Sequence, residues 1–154
     1  MPKKPTIYMD SCCFIDAVKQ EAGALREERN EDVWHIKKLL EAHREGEVRV
    51  LTSFLSVAEC LAVDSGQAEV PEEVQDTIKR LLSSGQYVTL APQTPKTGRI
   101  VRDLRWKHGI VLKGADGLHV ATSLEHSSSE FISTDDKLSK HKFKKSTEKL
   151  EILG

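Results

Sequence analysis

The chain has 154 residues, of which 38% are hydrophobic, 31% are charged and 5% are aromatic. This length and composition suit one compact domain with a sizeable core, and we expect a single domain over residues 1–154. No apolar run approaches the ~18 residues of a membrane span, and the start of the chain lacks the apolar core of a signal peptide, so we expect a cytoplasmic protein.

In chain order, short apolar runs alternate with amphipathic stretches. The pattern predicts, in turn, a strand at TIYM, helices at SCCFIDAVKQ and EDVWHIKKLLEAHREG, a strand at EVRVLTS, helices at FLSVAECLAV and PEEVQDTIKRLLSSG, a strand at QYVTLAP, helices at TGRIVRDLRWKHG and GADGLHVATSLEH, a strand at EFIST, a short helix or turn at DDKLSKH and a strand at EKLEIL. This alternation predicts an α/β fold, a three-layer α/β/α sandwich around a largely parallel, twisted sheet of about four to five strands.

Charge is distributed unevenly although the net charge is only −1. Residues 1–98 carry 12 Lys and Arg against 16 Asp and Glu, whereas residues 99–154 carry 11 against 8. The basic excess fits either solvated helix faces or a surface that meets phosphate, and charge alone does not decide between them. The three cysteines form no C-x-x-C motif, and we expect them to be reduced.

Four acids are predicted to lie near the carboxyl ends of the strands, where parallel α/β sheets bind ligands. Asp10 ends the first strand, Glu59 lies one to two turns into the helix after EVRVLTS, Asp116 opens a helix, and Asp135 ends EFIST. Each acid also has a purely structural interpretation, because Asp is a favoured helix N-cap and Glu59 could be a solvated helix residue.

The surroundings of these acids favour a shared site. The segment FLSVAECLAV is almost wholly apolar apart from Glu59, so we expect its helix to be buried on most sides, and no Lys or Arg lies between Arg49 and Lys79. Converging carboxylates without bases repel one another. A divalent cation with oxygen ligands, Mg²⁺ or Mn²⁺, would relieve that repulsion.

Four blocks of the sequence resemble, in order, the motifs of the PIN-domain ribonucleases. They are IYMDSC, a strand that ends in Asp before a small hydroxyl residue; LTSFLSVAECL, with Thr and Ser at a strand end and Glu on the next helix; GADGLHVATSL; and FISTDDKL, which resembles T-x-D-x-x-L. Ser133 stands in the Thr position of the last block, and Asp136 beside Asp135 leaves the identity of the fourth acid open. The resemblance spans about residues 6–152, and the third block is its most specific part.

The resemblance implies a metal-dependent endoribonuclease. Asp10, Glu59 and Asp116 would hold Mg²⁺ or Mn²⁺ directly or through water, Asp135 would complete the site, and a metal-activated water would attack the RNA phosphodiester bond. One or two metal ions are equally compatible with the sequence. The small single-domain form resembles VapC-type toxins of type II toxin–antitoxin pairs, which implies an antitoxin protein as a partner and a homodimer.

Three further residues could support the acids. Ser11 and Ser133 could orient a carboxylate or a metal-bound water, or they could only cap a helix or form a turn. His119 lies one turn after Asp116 and could be a base or a ligand, but a packed, hydrogen-bonded helix histidine is the favoured interpretation.

Residues of the basic helix are candidates for RNA binding. Arg99, Arg102 and Arg105 recur every three residues and share a helix face with some drift, so we expect them to contact phosphate. Trp34 and Trp106 are expected in the core or at its rim rather than as platforms on which bases stack.

Other classes of function stay open at this point. A phosphoaspartyl protein of the receiver or haloacid-dehalogenase type also uses Asp and Mg²⁺ at a strand end, but Ser-Cys follows Asp10, so the second acid of a D-x-D motif is missing. A free-standing PIN domain that acts in RNA processing, and a nonenzymatic binding module with the same fold, are the remaining alternatives.

Overall fold

A computed structural model describes residues 4–64, 66 and 68–134 of the chain. The elements are β1 (Thr6–Met9), α1 (Ser11–Glu21), a 3₁₀ turn (Glu27–Arg29), α2 (Asn30–Arg44), β2 (Arg49–Ser53), α3 (Phe54–Glu59), α4 (Glu72–Ser83), β3 (Thr89–Ala91), α5 (Pro95–His108), α6 (Ala115–Glu125) and β4 (Glu130–Ile132). The predicted elements at DDKLSKH and EKLEIL lie outside the described residues, as do Asp135 and Asp136.

The strands form one parallel sheet in the order β3–β2–β1–β4. Tyr8 of β1 stands opposite Leu51 of β2 and Phe131 of β4, which places β1 in the interior of the sheet. Because every pair is parallel, the carboxyl ends of the strands meet at one edge, and Asp10 follows β1 at that edge. The predicted α/β fold with a parallel sheet is confirmed.

Helices cover both faces of the sheet, as the alternation of side chains along β1 requires. Met9 packs into a core with apolar residues of α1, α2 and α4. Tyr8 points to the opposite face, where it clusters with Leu51, Ala91 and Phe131, and where α6 packs against β2 and α5 against α6. The sandwich therefore has three layers. Asp10 follows Tyr8 by two residues, so its side chain points to the same face of the sheet as Tyr8.

Helix α3 is the main departure from the sequence prediction. It ends at Glu59 instead of continuing through Val63, and the expectation that it is buried on most sides is wrong. Ser56 and Cys60 face the core, whereas Phe54 is 51% exposed and Leu61 is 64% exposed. The reason is that this short helix contacts the rest of the protein with one face only.

Both tryptophans also differ from expectation. Trp34 is 54% exposed and Trp106 is 73% exposed, so neither belongs to the core or to its rim. Among the described residues, no helix is both long and apolar enough to pass through a lipid bilayer.

Candidate active site

Asp10 is a buried acid at the carboxyl edge of the sheet. It occupies the N-cap position of α1 with extended backbone angles, yet its side chain makes no capping hydrogen bond. Its residue is only 2% exposed. Oδ1 of Asp10 accepts a long hydrogen bond from the Cys13 thiol at 3.8 Å, and the Cys13 main chain and the Ser133 side chain also favour the charged form. Because the pKa of Asp10 is nevertheless raised, these contacts satisfy its buried charge only in part.

Burial and a neighbouring acid both disfavour the charged form of Asp10. The pKa of Asp10 is raised from 3.8 to about 6, chiefly by burial and to a smaller extent by the negative charge of Asp116. A hydrogen bond with the Ser133 side chain and the proximity of His119 act in the opposite direction on this pKa. The structure thus brings Asp10, Asp116 and Ser133 into one electrostatic neighbourhood.

Asp16, a buried acid within α1, is neutralised by a basic side chain and so provides a comparison with Asp10. Asp16 is 5% exposed, and its Oδ2 lies 2.7 Å from Nη1 of Arg29 in the 3₁₀ turn. Over the part of the chain that the structure describes, no Lys or Arg forms such a pair with Asp10. Asp10 is the N-cap of α1 and Asp16 lies within this helix. Of the two acids, only Asp16 forms an ion pair with an arginine or lysine among the residues that the structure describes.

Asp116 is half-buried in the first turn of α6. The N-cap of this helix is Gly114, whose φ of 53° lies in the left-handed region that favours glycine, so Asp116 is not the cap. The position stabilises a negative charge through the helix dipole. Next to it, Gly117 allows close packing, because a Cβ there would lie 3.2 Å from Cγ1 of Val101 on α5.

Hydroxyl groups at the end of β2 hold the end of β1 in place. The Thr52 hydroxyl donates to the main-chain oxygen of Met9 at 2.7 Å and lies 2.6 Å from the hydroxyl of Ser56 on α3. The main-chain oxygen that precedes Asp10 is therefore fixed by a buried hydrogen bond, which fixes the position from which the Asp10 side chain projects.

Glu59 is attached to a buried chain of hydrogen bonds. His119 is 1% exposed, with Nε2 at 2.7 Å from Oε1 of Glu59 and Nδ1 at 2.6 Å from the hydroxyl of Tyr8. Burial holds the pKa of the Tyr8 phenol well above its usual value, so the hydroxyl stays protonated in its contact with Nδ1. On the other side of the ring, Nε2 faces the Glu59 carboxylate, so His119 links Tyr8 to Glu59 through its two ring nitrogens. The Glu59 side chain is 33% exposed, so it extends from this chain toward solvent.

The other predicted site residues lie as follows. Ser11 is buried in the first turn of α1, and Arg99, Arg102 and Arg105 are exposed on α5. Within residues 4–64, 66 and 68–134, no group of three or more His, Cys, Asp or Glu side chains is arranged to hold a metal ion. Asp116 lies close enough to Asp10 to raise its pKa, Glu59 contacts His119, and Asp135 lies outside the described residues.

The sequence was compared with models of known families and the fold with solved structures. A family model described as the PIN domain matches residues 7–144. The chain belongs to the PIN-domain family. The resemblance seen in the sequence blocks is thereby confirmed, and the search among curated proteins found no significant match.

One solved structure similar to this PIN domain is that of VapBC2 from Rickettsia felis bound to a DNA fragment from their promoter. The TM-score is 0.60, and the alignment covers 87% of this chain and 92% of that chain at 16% sequence identity. At this identity the match shows a shared fold, in agreement with the parallel sheet and the three layers described above.

The described residues of the PIN domain fit a hard divalent cation. Mg²⁺ is usually bound by one or two carboxylates, with waters and substrate phosphates completing its ligands. Asp10 and Asp116 are two such carboxylates, and the raised pKa of Asp10 shows that the site favours compensation of its negative charge. The donor chemistry of these two acids therefore fits Mg²⁺, with water and phosphate oxygens needed to complete the ligand set.

Tyr8 is the functional candidate that sequence reasoning missed. The sequence pattern identifies it only as an apolar strand residue, but it shares a sheet face with Asp10 and is hydrogen-bonded to the histidine that contacts Glu59. Two sequence signals could have identified Tyr8. The alternation along β1 places it on the same face as Asp10, and the three-residue spacing of Asp116 and His119 places both of these side chains on the helix face toward the sheet.

Replacing Tyr8 with Phe is expected to weaken Mn²⁺ binding about 10- to 100-fold, because second-layer hydrogen bonds orient metal ligands. Loss of the hydroxyl also leaves the buried Nδ1 of His119 without its hydrogen-bond partner, which should lower the free energy of unfolding by about 1–3 kcal/mol. Isothermal titration with Mn²⁺ measures the first effect. Tyr87→Phe is the matched control, since this half-buried second tyrosine contacts Arg44 and Arg80 far from His119 in the sequence. Equal Mn²⁺ affinities in both variants would contradict a positioning role for Tyr8.

Proposed function

We propose that this PIN domain is a Mg²⁺- or Mn²⁺-dependent endoribonuclease and the toxin of a type II toxin–antitoxin pair. The observation that carries the proposal is Asp10, a buried carboxylate at the carboxyl edge of a parallel sheet. Its pKa is raised by burial and by the charge of nearby Asp116, and no Lys or Arg forms an ion pair with it among the described residues. An arrangement of this kind suits catalysis at a phosphodiester, where charge must be offset on both sides of the reacting phosphate.

The chemistry divides between the cation and the side chains. When bound, Mg²⁺ or Mn²⁺ lowers the pKa of a water and offsets charge on the phosphate oxygens. Asp10 and Asp116 would bind the cation, and Ser133 would hold the Asp10 carboxylate in its orientation. Asp135 is proposed as the acid that completes the set, with the number of cations left to experiment.

Glu59 is proposed to hold the cation through the attacking water and to orient that water. His119 occupies Oε1 of Glu59, so the second carboxylate oxygen remains for a water at the solvent-exposed side. A carboxylate fixed in this way can accept a hydrogen bond from the nucleophile and later its proton. Ser11, buried at the start of α1, is proposed to help hold a water or a carboxylate nearby.

The toxin role rests on the fold. The solved structure that this PIN domain resembles is a VapBC2 assembly. By analogy we propose an antitoxin protein as a partner of this chain. A free-standing PIN domain that acts in RNA processing, or a binding module without catalysis, is the alternative.

An apolar stripe on the surface supports the proposal of a homodimer. Phe54, Val57 and Leu61 lie three and four residues apart and are 51%, 36% and 64% exposed. Contiguous exposed apolar side chains of this kind mark surfaces that bind other proteins. Sedimentation equilibrium is expected to give twice the 17.3 kDa mass of the chain, and a monomer at micromolar concentration would contradict the homodimer.

The nuclease proposal is tested by expressing the wild-type chain and the Asp10→Asn variant in a bacterial host and sequencing the ends of cellular RNA. We expect growth arrest and discrete new RNA ends with the wild type only. The same new ends with both proteins would exclude catalysis by this site. Discrete ends without growth arrest would support an RNA-processing nuclease instead of a toxin.

A further inference from the structure

The last turns of α5 present an aromatic ring to solvent beside a cation. Trp106 is 73% exposed, and the guanidinium carbon of Arg102 lies 5.0 Å from the centre of its ring. The cation–π contact keeps the indole in a defined orientation although it is scarcely covered by the protein. Arg102 lies over one face of the ring, so the opposite face is the surface on which a planar group can stack.

A small cavity adjoins this ring. It has a volume of about 130 Å³ and, apart from Arg102 and Trp106, is lined by Val101, Leu104, Arg105, Ile110, Leu112 and Gly117. Its floor is therefore aliphatic and its rim is basic. Gly117 directly follows Asp116, so the cavity lies at the end of α6 that carries this acid.

The packing of α5 on α6 explains why the cavity lies at the catalytic end. At the start of α5, Thr94 caps the helix, and Thr97 donates to Glu125 in the last turn of α6 at 2.5 Å. The two helices are therefore antiparallel. The end of α5, which carries Trp106, must then lie beside the start of α6, which carries Asp116.

The charges around the ring match a polyanion. Arg99, Arg102 and Arg105 are all exposed on α5. In the described part of the chain, no carboxylate forms an ion pair with any of them, whereas Asp103 on the same helix is paired with Lys107 at 3.5 Å. This cationic surface differs from the apolar stripe of α3, which suits a protein partner better.

We propose that Trp106 and the adjoining cavity bind one unstacked base of the RNA strand, close to the scissile phosphate, while Arg102 and Arg105 contact the flanking phosphates. The inference rests on the proposed ribonuclease function and adds a binding subsite to it. Stacking on an aromatic ring requires a base that is free of a duplex, so the subsite favours single-stranded RNA. Since every base has a π-face, the subsite tolerates different bases at this position.

The test uses the full chain with Asp10→Asn throughout, so that bound strands stay intact. The protein has two tryptophans, and adding Trp34→Phe leaves Trp106 as the only indole reporter. Two probes are compared, an oligoadenylate of about eight nucleotides, long enough to cover the site size of a single-strand binding groove, and inorganic polyphosphate of equal charge. We expect the oligoadenylate to quench Trp106 fluorescence and the polyphosphate to leave it unchanged.

Substitution of the ring supplies the second measurement. Trp106→Ala is expected to weaken oligoadenylate binding about 5- to 150-fold, the usual range for losing one stacked base, and to leave polyphosphate binding unchanged. Trp34→Ala is the matched control, because Trp34 is also exposed and has Lys38 at 5.5 Å from its ring centre. It should change neither affinity, and both variants should keep the parental melting temperature.

The possible outcomes distinguish failure of the proposed base-binding subsite from failure of the proposed ribonuclease function. Equal oligoadenylate affinity with and without the Trp106 ring would overturn the subsite while leaving the ribonuclease proposal intact. Equal quenching by polyphosphate would also overturn it, since the ring would then sense phosphate and not a base. A change of sedimentation from dimer to monomer in Trp106→Ala, with unchanged oligoadenylate affinity, would assign the ring to a protein interface. No binding of either probe by the parent protein would instead count against the ribonuclease proposal itself.

Discussion

Asp10→Asn is expected to lower the rate of RNA cleavage by about a hundredfold or more while leaving the metal-free protein at least as stable as the wild type. The loss of rate follows because an amide oxygen is a far weaker ligand for a hard dication than a carboxylate. The gain in stability follows because Asn removes a buried charge and its repulsion by Asp116. A pKa raised from 3.8 to about 6 bounds that gain at about 3 kcal/mol near neutral pH. Cleavage assays and thermal melts in chelator measure the two effects.

Asp16→Asn is the matched control on the same helix. It makes the same change at another buried carboxylate, but there the carboxylate is paired with Arg29 at 2.7 Å. Weakening a satisfied ion pair should lower stability and leave the specific activity of the folded fraction unchanged. The two variants should therefore shift the melting temperature in opposite directions. A destabilised Asp10→Asn protein with full activity would show that Asp10 is only structural.

Mn²⁺ is expected to raise the melting temperature of the wild-type protein by about 5–10 °C when its concentration is a hundred times the dissociation constant. Binding to the folded state alone contributes about 2.7 kcal/mol at that ratio, and for a domain of this size each kcal/mol shifts the melting temperature by about 2–4 °C. Asp10→Asn and Asp116→Asn should each remove most of the shift. Chelator should abolish cleavage by the wild type. A shift of equal size in all three proteins would place the bound ion elsewhere.

The pH dependence of stability has a definite sign in the absence of metal. The pKa of Asp10 is about 6 in the folded protein and 3.8 in the unfolded reference state. Between pH 3.8 and about pH 6, the Asp10 carboxyl therefore keeps its proton in the folded protein and loses it in the unfolded chain. The stabilising contribution of the neutral carboxyl is present below about pH 4 and is lost as the pH rises through about 6. Mn²⁺ requires the ionised form, so its stabilisation should be largest above pH 6. In Asp10→Asn this component of the pH profile should be absent, which urea denaturation at several pH values can establish.

The architecture could be predicted from local patterns because each element carries its own signal. The apolar run TIYM gives β1 with the bounds that the structure has, and the alternation of elements gives the parallel sheet. Parallel order then brings the carboxyl ends of the strands together, so the proximity of Asp10 and Asp116 follows from topology. Helix α5 begins earlier than predicted, because the reciprocal hydrogen bonds of Thr94 and Thr97 start it at Pro95.

Features that depend on packing could not be read from the sequence. The burial of α3 was overestimated because an apolar segment is compatible both with a core and with an exposed interface. The chain from Tyr8 through His119 to Glu59 joins residues 111 and 60 positions apart, and no local pattern encodes such contacts. Trp106 was expected to be covered for the same reason, since composition does not say which face of α5 meets α6.

The central claim is that Asp10 and Asp116 bind one divalent cation at the carboxyl edge of the sheet. Crystals soaked in manganese chloride and measured for anomalous scattering test it most directly. The account predicts a peak between the two carboxylates, within about 2.0–2.6 Å of their nearest oxygens, the range of metal–oxygen distances for hard cations. Saturated crystals with no anomalous peak there, and with the two carboxylates turned apart, would contradict it.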